Sequence, residues 1–599
     1  MSPHARPEGG GMTSDDDAGP GDGPAAGRER QPGDGRIGRR LLGSRTAVLL
    51  LVIGGIVVLS IFSFTPIPPR HGLIRDRELV FYLSGLTADG ELPLVDFQHG
   101  WNAGGWWIGS VLYRLADGSP NVFAFLFEHV FGRILAFSAL STAVWRLHRP
   151  AALIAVVGLG SAAWAAISPP NGKYAIPALW LLALLPTGRQ RTSLRLDLLV
   201  HGAVAFATLW LHVELAVLLG AGVTFFQLFG NERDPLRTRI ARVAALGAGV
   251  AVGVASEVAF YATRGVSAGT VNDLVFGGQA GSFPQQYGWS ALHPTSAPAA
   301  LFPLLVLAPF VPVLWRRAAP ETRLAASLSL ATAIVALRRH DPQHLAAVSS
   351  LFVFTGALLA DDLHRIPERG RDGDRTVLAR RRAARGVALV AGGAWAGAVV
   401  FAAVETESLL AGAALMAGAA VAALVARRGD WPWASAGALA VLVLLAAVGS
   451  GLAVRDRIRS TDPYTQVRTN AEAIRPEVDR CLGDERRAVI ATTQLSLYDL
   501  LGLENPTPYV QFYYDFRRYA PDLVGDMRAG EVPALIETYP LPDWMAEVRD
   551  ELARSYMPCS QVAVPATGNT ITVWVEAGRA PADQRSLQVQ PDGSLAPRS

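Results

Sequence analysis

The sequence predicts an α-helical polytopic membrane protein of about 13 spans that carries a small C-terminal α/β domain. Half of the 599 residues are hydrophobic and only 18% are charged, and the mean hydropathy is positive at +0.26. Apolar runs recur from Val48 to Val454, far more than the core of a soluble protein of this length requires. Beyond Val454 the chain is polar to its end, so a separate folded region is predicted after the spans.

Each span is predicted from its own apolar run. Residues 1–44 come first, and their richness in Gly, Pro, Asp and Arg predicts a disordered cytoplasmic tail. The run that follows is too long for a signal peptide and lacks a small-residue cleavage site, so we expect an uncleaved span. His201, His212 and Glu214 interrupt the run at 198–229, and short broken spans often line a cavity. The predicted spans are 46–64, 121–145, 151–167, 174–186, 198–211, 214–229, 240–263, 299–315, 324–337, 344–360, 386–404, 408–426 and 433–454.

The arginines predict the orientation of these spans. They gather in alternate loops, at Arg146 and Arg149 for example, which places those loops and the N-terminus in the cytoplasm. The opposite, extracytoplasmic face then collects polar segments that are far apart in the chain, one of them long enough to form a lid. These segments are the loop at 65–120, called here the acidic loop, the turn at 169–173, the segment at 338–344 and the lid candidate at 264–298.

The region after the spans is predicted to lie outside the cell membrane. Residues 455–578 form the α/β domain, in which 488–492 and 532–537 are predicted strands and 561–576 is a predicted hairpin; 579–599 is a loose tail. Both cysteines of the chain, Cys481 and Cys559, fall in this region. An oxidising exterior favours a disulfide between them.

Three motifs resemble the GT-C class of membrane glycosyltransferases. They are "VDFQHGWNAGGWW" in the acidic loop, "RRHDPQHL" at the end of a late span and "LSLYDLLGLENPTPY" in the C-terminal region. The resemblance extends from Val48 to Ala577. It implies transfer of a sugar from a polyprenyl-phosphate donor, on the extracytoplasmic face, to a glycan, glycolipid or protein of a bacterial cell envelope.

The resemblance makes Asp76 the general base, with Glu78 as the competing assignment. An acceptor hydroxyl must lose its proton as it attacks the anomeric carbon, and a nearby carboxylate can take that proton, with inversion at the sugar. Arg77 interrupts the commoner Asp-Glu pair of the family, which leaves the choice between the two acids open. Pairing of both acids with Arg75 and Arg77 at a wet helix end is the structural alternative.

Further along the acidic loop, Asp96 and His99 are predicted to address the sugar or the acceptor, or else to be a turn-stabilising acid and a solvated histidine. Trp101, Trp106 and Trp107 begin an amphipathic helix that is predicted to lie along the bilayer surface, with its indole rings as interfacial anchors.

The phosphate of a lipid-linked donor needs cations at the edge of the hydrocarbon. Arg338 and Arg339 can grip phosphate oxygens with parallel hydrogen bonds, unless they are a plain charged loop end. Lys173, the only lysine, is a weaker candidate for the same phosphate. The other predicted substrate-binding residues are His340, Asp341 and His344.

Several charged residues fall inside predicted spans, among them Glu128, His129, Arg133, Glu214 and Glu257. They are predicted to neutralise one another between helices or to line an acceptor channel. The pair at 361–362 is predicted to be a solvated cytoplasmic loop.

The sequence contains no motif that indicates another class of function. It contains no Walker loop, dinucleotide fingerprint, zinc spacing or nucleophile elbow, and its net charge of +3 is too dispersed to indicate nucleic-acid binding. We expect no cofactor or metal, although a divalent cation stays open. The alternatives to an enzyme are a carrier or flippase for a lipid-linked glycan, which internal repeats would favour but none is seen, and an assembly protein anchored by its spans.

Overall fold

The computed structural model of the chain describes residues 45–62, 64, 76–97, 103–160, 162, 175–185, 193–272, 275, 318–338, 351, 354–355, 357–359, 361–362, 463–491, 495–509, 520–538, 540–541, 545–564, 569–579, 587–589 and 595–597. Predictions for the tail at 1–44, the turn at 169–173 and the spans beyond residue 386 lie outside the described residues. Trp101, the predicted span at 299–315 and most of the lid candidate at 264–298 also lie outside them.

Helices dominate the described part of the chain up to residue 338. They are α1 (Arg45–Phe62), α2 (Asp76–Ala88), α3 (Ala103–Leu115), α4 (Pro120–Arg146), α5 (Ala151–Ala155, continued as a π-helix over Val156–Gly160), α6 (Ala175–Leu184), α7 (Leu194–Leu211), α8 (Val213–Gly230), α9 (Leu236–Ala262), α10 (Ala268–Val271) and α11 (Pro320–Arg338).

Among the described residues, four helices are long and apolar enough to cross a membrane: α4, α7, α8 and α9. Two shorter apolar helices, α1 and α6, coincide with predicted spans. The helical, apolar character of this region agrees with the predicted class of membrane protein.

Small residues let the long helices approach closely. A Cβ added at Gly249 of α9 would lie 2.2 Å from the carbonyl oxygen of Gly202 in α7. A Cβ added at Gly222 of α8 would lie 2.8 Å from the carbonyl oxygen of Ser327 in α11. Such close contacts are how helices gain packing energy in lipid, where no hydrophobic force drives them together.

The described residues after 463 form helices around a sheet. The helices are α12 (Pro463–Leu482), α13 (Ser496–Leu501), α14 (Ala520–Arg528) and α15 (Ala546–Ser555). The strands are β1 (Val489–Ala491), β2 (Ala534–Glu537), β3 (Tyr556–Val564), β4 (Asn569–Glu576), β5 (Leu587–Val589) and β6 (Leu595–Pro597).

The main sheet has the strand order β1-β2-β4-β3, with β1 parallel to β2 and the other pairs antiparallel. Its strands coincide with the segments in which the sequence predicted strands. A disulfide joins Cys481 of α12 to Cys559 of β3, so the two cysteines pair as the sequence predicted. The bridge fastens the first helix of this region to an edge strand of the sheet.

The acidic loop and this C-terminal region share one hydrophobic core. Val80 and Leu83 of α2 and Trp106 of α3 are in the same buried cluster as Ile474 of α12 and Tyr498 of α13. The ring of Tyr82 also stacks on that of Tyr498, with centroids 6.2 Å apart. The two segments therefore fold together, although several hundred residues separate them in the chain.

A charge network lies at the end of the bundle where α1 begins. The Arg149 guanidinium binds Asp361 and Asp362, each at 2.5 Å, and Asp362 also accepts hydrogen bonds from the backbone N–H of Ala319 and the hydroxyl of Thr322. The three charged side chains are 7%, 11% and 7% exposed. The predicted solvated loop at 361–362 is therefore wrong: both acids are partners of Arg149 with little exposure, and Asp362 also caps the start of α11.

Candidate functional site

The predicted base lies at the beginning of a helix. Asp76 is the first residue of α2 and Glu78 is in the same first turn; the structure describes the backbone here and not these two side chains. The unpaired N–H groups of a helix start favour ionised carboxylates, the state that a general base requires. Arg338 is likewise described by its backbone, as the last residue of α11. Outside the described residues lie His99, Lys173, Arg339, His340, Asp341 and His344.

Helix packing brings Arg338 to the same end of the bundle as the acidic loop. Helix α11 runs antiparallel to α8, because Arg323 donates to the carbonyl oxygen of Gly230 (3.0 Å) while Gly222 lies beside Ser327. The ten residues from Gly222 back to His212 rise about 15 Å, and the same rise along α11 reaches Arg338. The start of α3 rests directly on the residues before His212, as described next.

The broken span predicted around His212 is present. Helix α7 ends at Leu211, α8 begins at Val213, and His212 between them has extended backbone angles of φ −166° and ψ 99°. Its Nδ1 atom accepts a hydrogen bond from the backbone N–H of Leu215 at 3.5 Å. Because α7 ends here, no further turn of the same helix supplies N–H groups to its last carbonyl groups.

Helix α3 is packed against this break. A Cβ added at Gly104 would lie 2.6 Å from the carbonyl oxygen of Trp210, so only glycine permits the approach. The indole of Trp107 stacks on that of Trp210 (5.4 Å) and meets the ring of Phe260 edge-on (5.1 Å). An amphipathic helix was predicted here, but interfacial anchoring by Trp106 is wrong, since this side chain is 1% exposed in the shared core.

Asp96 stabilises a turn. One carboxylate oxygen accepts the backbone N–H of Leu92 at 2.8 Å, and the N–H of Leu94 donates to the carbonyl oxygen of Phe97 at 2.7 Å. Leu94 has a φ of 65°, so the turn is strained and needs this support. This hydrogen bond is of the turn-stabilising kind that the sequence left open beside a contact to the sugar or the acceptor.

Asp499 is part of the third motif, but the sequence predicted no role for it. Burial raises the pKa of the Asp499 carboxyl group. Burial, then the charges of Asp499 and Glu91, raise the pKa of Tyr82 in α2. The pKa of Glu91 is itself raised, first by burial and then by Asp96 and Asp89. The motif could have revealed this position, since Asp499 follows the tyrosine that packs on the acidic loop.

The buried charges of α4 are in a π-helical segment, Phe125–Ile134. Glu128, His129 and Arg133 are 7%, 3% and 0% exposed, and the rings of Phe64 and Phe125 flank His129 at 5.4 and 5.6 Å. Hydrogen bonds in a π-helix join residues five apart, the spacing of Glu128 and Arg133. The contact of His129 with Phe64 places these groups beside the C-terminal end of α1.

Two solved structures are similar to the chain over nearly its whole length. The crystal structure of ArnT from Cupriavidus metallidurans bound to undecaprenyl phosphate has a TM-score of 0.52 and 16% identity, and covers 90% of this chain and 100% of its own. The crystal structure of the same protein in the apo state has a TM-score of 0.54 and 15% identity, and covers 90% and 99%. The chain has the GT-C fold. No family model matches the sequence, and no curated protein does so.

The GT-C fold predicted from three loose motifs is thereby confirmed. At this level of identity the likeness establishes the fold alone. Within the described residues, no group of three or more His, Cys, Asp or Glu side chains is placed to hold a metal ion. Among the described residues, one helix begins at the two candidate acids, and another ends at Arg338, at the end of the bundle where the span is broken.

Proposed function

We propose that the protein is a glycosyltransferase of the GT-C type that uses a polyprenyl-phosphate sugar as donor. The observation that carries the proposal is the structural likeness to ArnT, one of whose structures holds undecaprenyl phosphate. The acceptor would be an envelope glycan, a glycolipid or a protein. The reaction would take place on the extracytoplasmic face of the membrane, where the positive-inside rule puts the acidic loop.

The proposed reaction is a single displacement. The acceptor oxygen forms a bond to the anomeric carbon while its proton passes to the carboxylate of Asp76 or Glu78. The bond between that carbon and the phosphate oxygen breaks, and polyprenyl phosphate leaves with the electron pair. Attack on the face opposite the leaving phosphate would invert the configuration at the sugar.

The leaving phosphate needs a cation, and Arg338 is the proposed one. Its backbone ends α11 at the level of the broken span, where the edge of the hydrocarbon is expected. A guanidinium group in this low-dielectric zone can donate two parallel hydrogen bonds to phosphate oxygens. Arg339, His340, Asp341, His344 and Lys173 stay candidates for donor contacts, and His99 for contacts to the sugar.

The test is complementation of a bacterial strain that lacks the gene, followed by mass analysis of its envelope glycans. The wild-type chain should restore the missing glycan and Asp76→Asn should not, while the purified variant still binds undecaprenyl phosphate. Asp117→Asn is the matched control, because Asp117 is an exposed acid of the same loop whose φ of 50° asparagine tolerates.

Restoration of the glycan by both Asp76→Asn and Glu78→Gln would remove the proposed base. Arg338→Ala should weaken binding of undecaprenyl phosphate, and Arg237→Ala, an exposed arginine at the other end of the bundle, should not. If the protein moves a lipid-linked glycan across the membrane of proteoliposomes and forms no glycosidic bond, the result would favour a carrier instead.

A further inference from the structure

A fully buried carboxylate, Glu257, faces the start of α3. Its side chain belongs to α9, one turn before that helix ends, and is 0% exposed. Its Oε1 atom accepts a hydrogen bond from the backbone N–H of Ala103, the first residue of α3, at 3.4 Å. An acid buried in a membrane helix is costly, so its retention requires compensation.

The N-terminal end of α3 contributes to that compensation. The first N–H groups of α3 have no partner within the helix and carry partial positive charge, which favours a nearby carboxylate. The last carbonyl groups of α7 also approach this helix start: the oxygens of Trp210 and Leu211 would lie 2.6 and 3.5 Å from a Cβ at Gly104 and Gly105. The positive end of α3 therefore meets the acceptor oxygen of Glu257 and the partial negative charge of the last α7 carbonyl groups.

The same contact is closed off from water by apolar side chains. One buried cluster contains Leu94 of the acidic loop, Ala103 of α3 and Tyr261 of α9, together with Val271 and Val275 of the lid candidate. Trp107 packs on Trp210 and Phe260 at its edge. In such a low-dielectric setting one charge-assisted hydrogen bond has more effect than it would at a wet surface.

We infer that Glu257 is a positioning residue, which holds the start of α3 against the broken span and so fixes the acidic loop on the membrane bundle. The inference extends the proposed function, since the loop it fixes carries the proposed base. Glu257 acts through the backbone of Ala103 and does not itself contact the reacting atoms.

Two substitutions separate the charge from the contact. Glu257→Gln keeps an acceptor oxygen at the same reach, whereas Glu257→Met keeps the length of the side chain and removes the acceptor. Hydrogen exchange of the peptide 103–115 in the full-length protein in lipid nanodiscs reports on the contact directly. Glu257→Met should speed exchange at the helix start roughly tenfold or more, and Glu257→Gln by much less.

The effect of these variants on function is measured with the complementation assay, and undecaprenyl phosphate is the probe for donor binding. With Glu257→Met, glycan restoration should fall while affinity for undecaprenyl phosphate changes less than about threefold, because α11 is untouched; Glu257→Gln should recover most of the glycan. An intact disulfide and an unchanged melting temperature would show that each variant is folded.

Two outcomes would overturn the inference. One is unchanged exchange at the start of α3 in Glu257→Met; the other is faster exchange with full glycan restoration, which would make the contact merely structural. If the wild-type chain restores no glycan, the proposed function fails separately, and the exchange measurement still decides whether Glu257 holds α3.

Discussion

Helices α7 and α9 cross closely at Gly249, and a substitution there should show how far the crossing depends on this glycine. In Gly249→Ala the new methyl group would lie 2.2 Å from the carbonyl oxygen of Gly202 and 2.9 Å from its Cα atom. Both neighbours are backbone atoms and cannot rotate away. An ordinary carbon–oxygen contact is about 3.3–3.6 Å, so the helices must separate locally by roughly 1 Å.

A gap of that size forfeits about a quarter to a half of the dispersion energy of each affected contact. Overpacking of this kind costs about 1–3 kcal/mol, and we expect Gly249→Ala to lie near the upper value because backbone must move. Gly247→Ala on the same helix is the control: nothing lies within 4 Å of its new methyl group. Removing a helix-interior glycine should leave its stability unchanged or raise it by up to about 1 kcal/mol. Reversible unfolding in one detergent would measure both, and equal stability of the two variants would refute the described helix crossing.

Three other perturbations have expected outcomes. Arg149→Met removes the cation that two buried carboxylates bind and should cost about 3–5 kcal/mol of stability in the same unfolding assay. Arg233→Ala breaks an ion pair whose arginine is 61% exposed and should cost about 1 kcal/mol or less. The hydroxyl of Ser555 holds the pKa of Glu551 below its ordinary value, so this acid stabilises the fold above about pH 4.5 and loses that effect as the pH falls through its folded pKa. The stability difference between wild type and Glu551→Gln should therefore shrink between about pH 6 and pH 3; a constant difference would contradict the assigned ionisation. Replacing both cysteines with serine opens a link across 78 residues and should lower stability by about 2–4 kcal/mol, measured by thermal unfolding of the C-terminal region.

Much of the fold was readable from local patterns. Apolar runs predicted the spans that correspond to α4, α7, α8 and α9, and His201, His212 and Glu214 indicated that the run at 198–229 is interrupted, which it is at His212. The four strands of the main C-terminal sheet lie in segments that the sequence predicted to be strands, whereas the prediction of a loose tail at 579–599 is wrong, because β5 and β6 pair there as a small antiparallel sheet. For the spans and the main sheet the determining interactions lie within one segment, which is why the sequence alone could predict them.

Contacts between residues far apart in the chain could not be predicted from such local patterns. Nothing near Arg149 indicates that acids more than 200 residues away neutralise it, so the loop at 361–362 was wrongly predicted to be solvated. Trp106 belongs to an amphipathic helix in either environment, and its burial depends on the tertiary cluster that it joins, which no local pattern indicates. The candidate site has the same limit: the acids at the start of α2 suggested chemistry, but the carboxylate of Glu257 could be linked to Ala103 only by the packing of α9 on α3.

The core shared by the acidic loop and the C-terminal sheet constrains how the protein can be made. Helices α2 and α3 emerge early in synthesis, yet the C-terminal residues that share their buried core are translated several hundred residues later. At ordinary translation speeds this core stays incomplete for tens of seconds, and we expect chaperones to bind its exposed apolar side chains during that time. Truncation before residue 463 should therefore yield an inserted but incompletely folded protein, and quality-control proteases are expected to remove it.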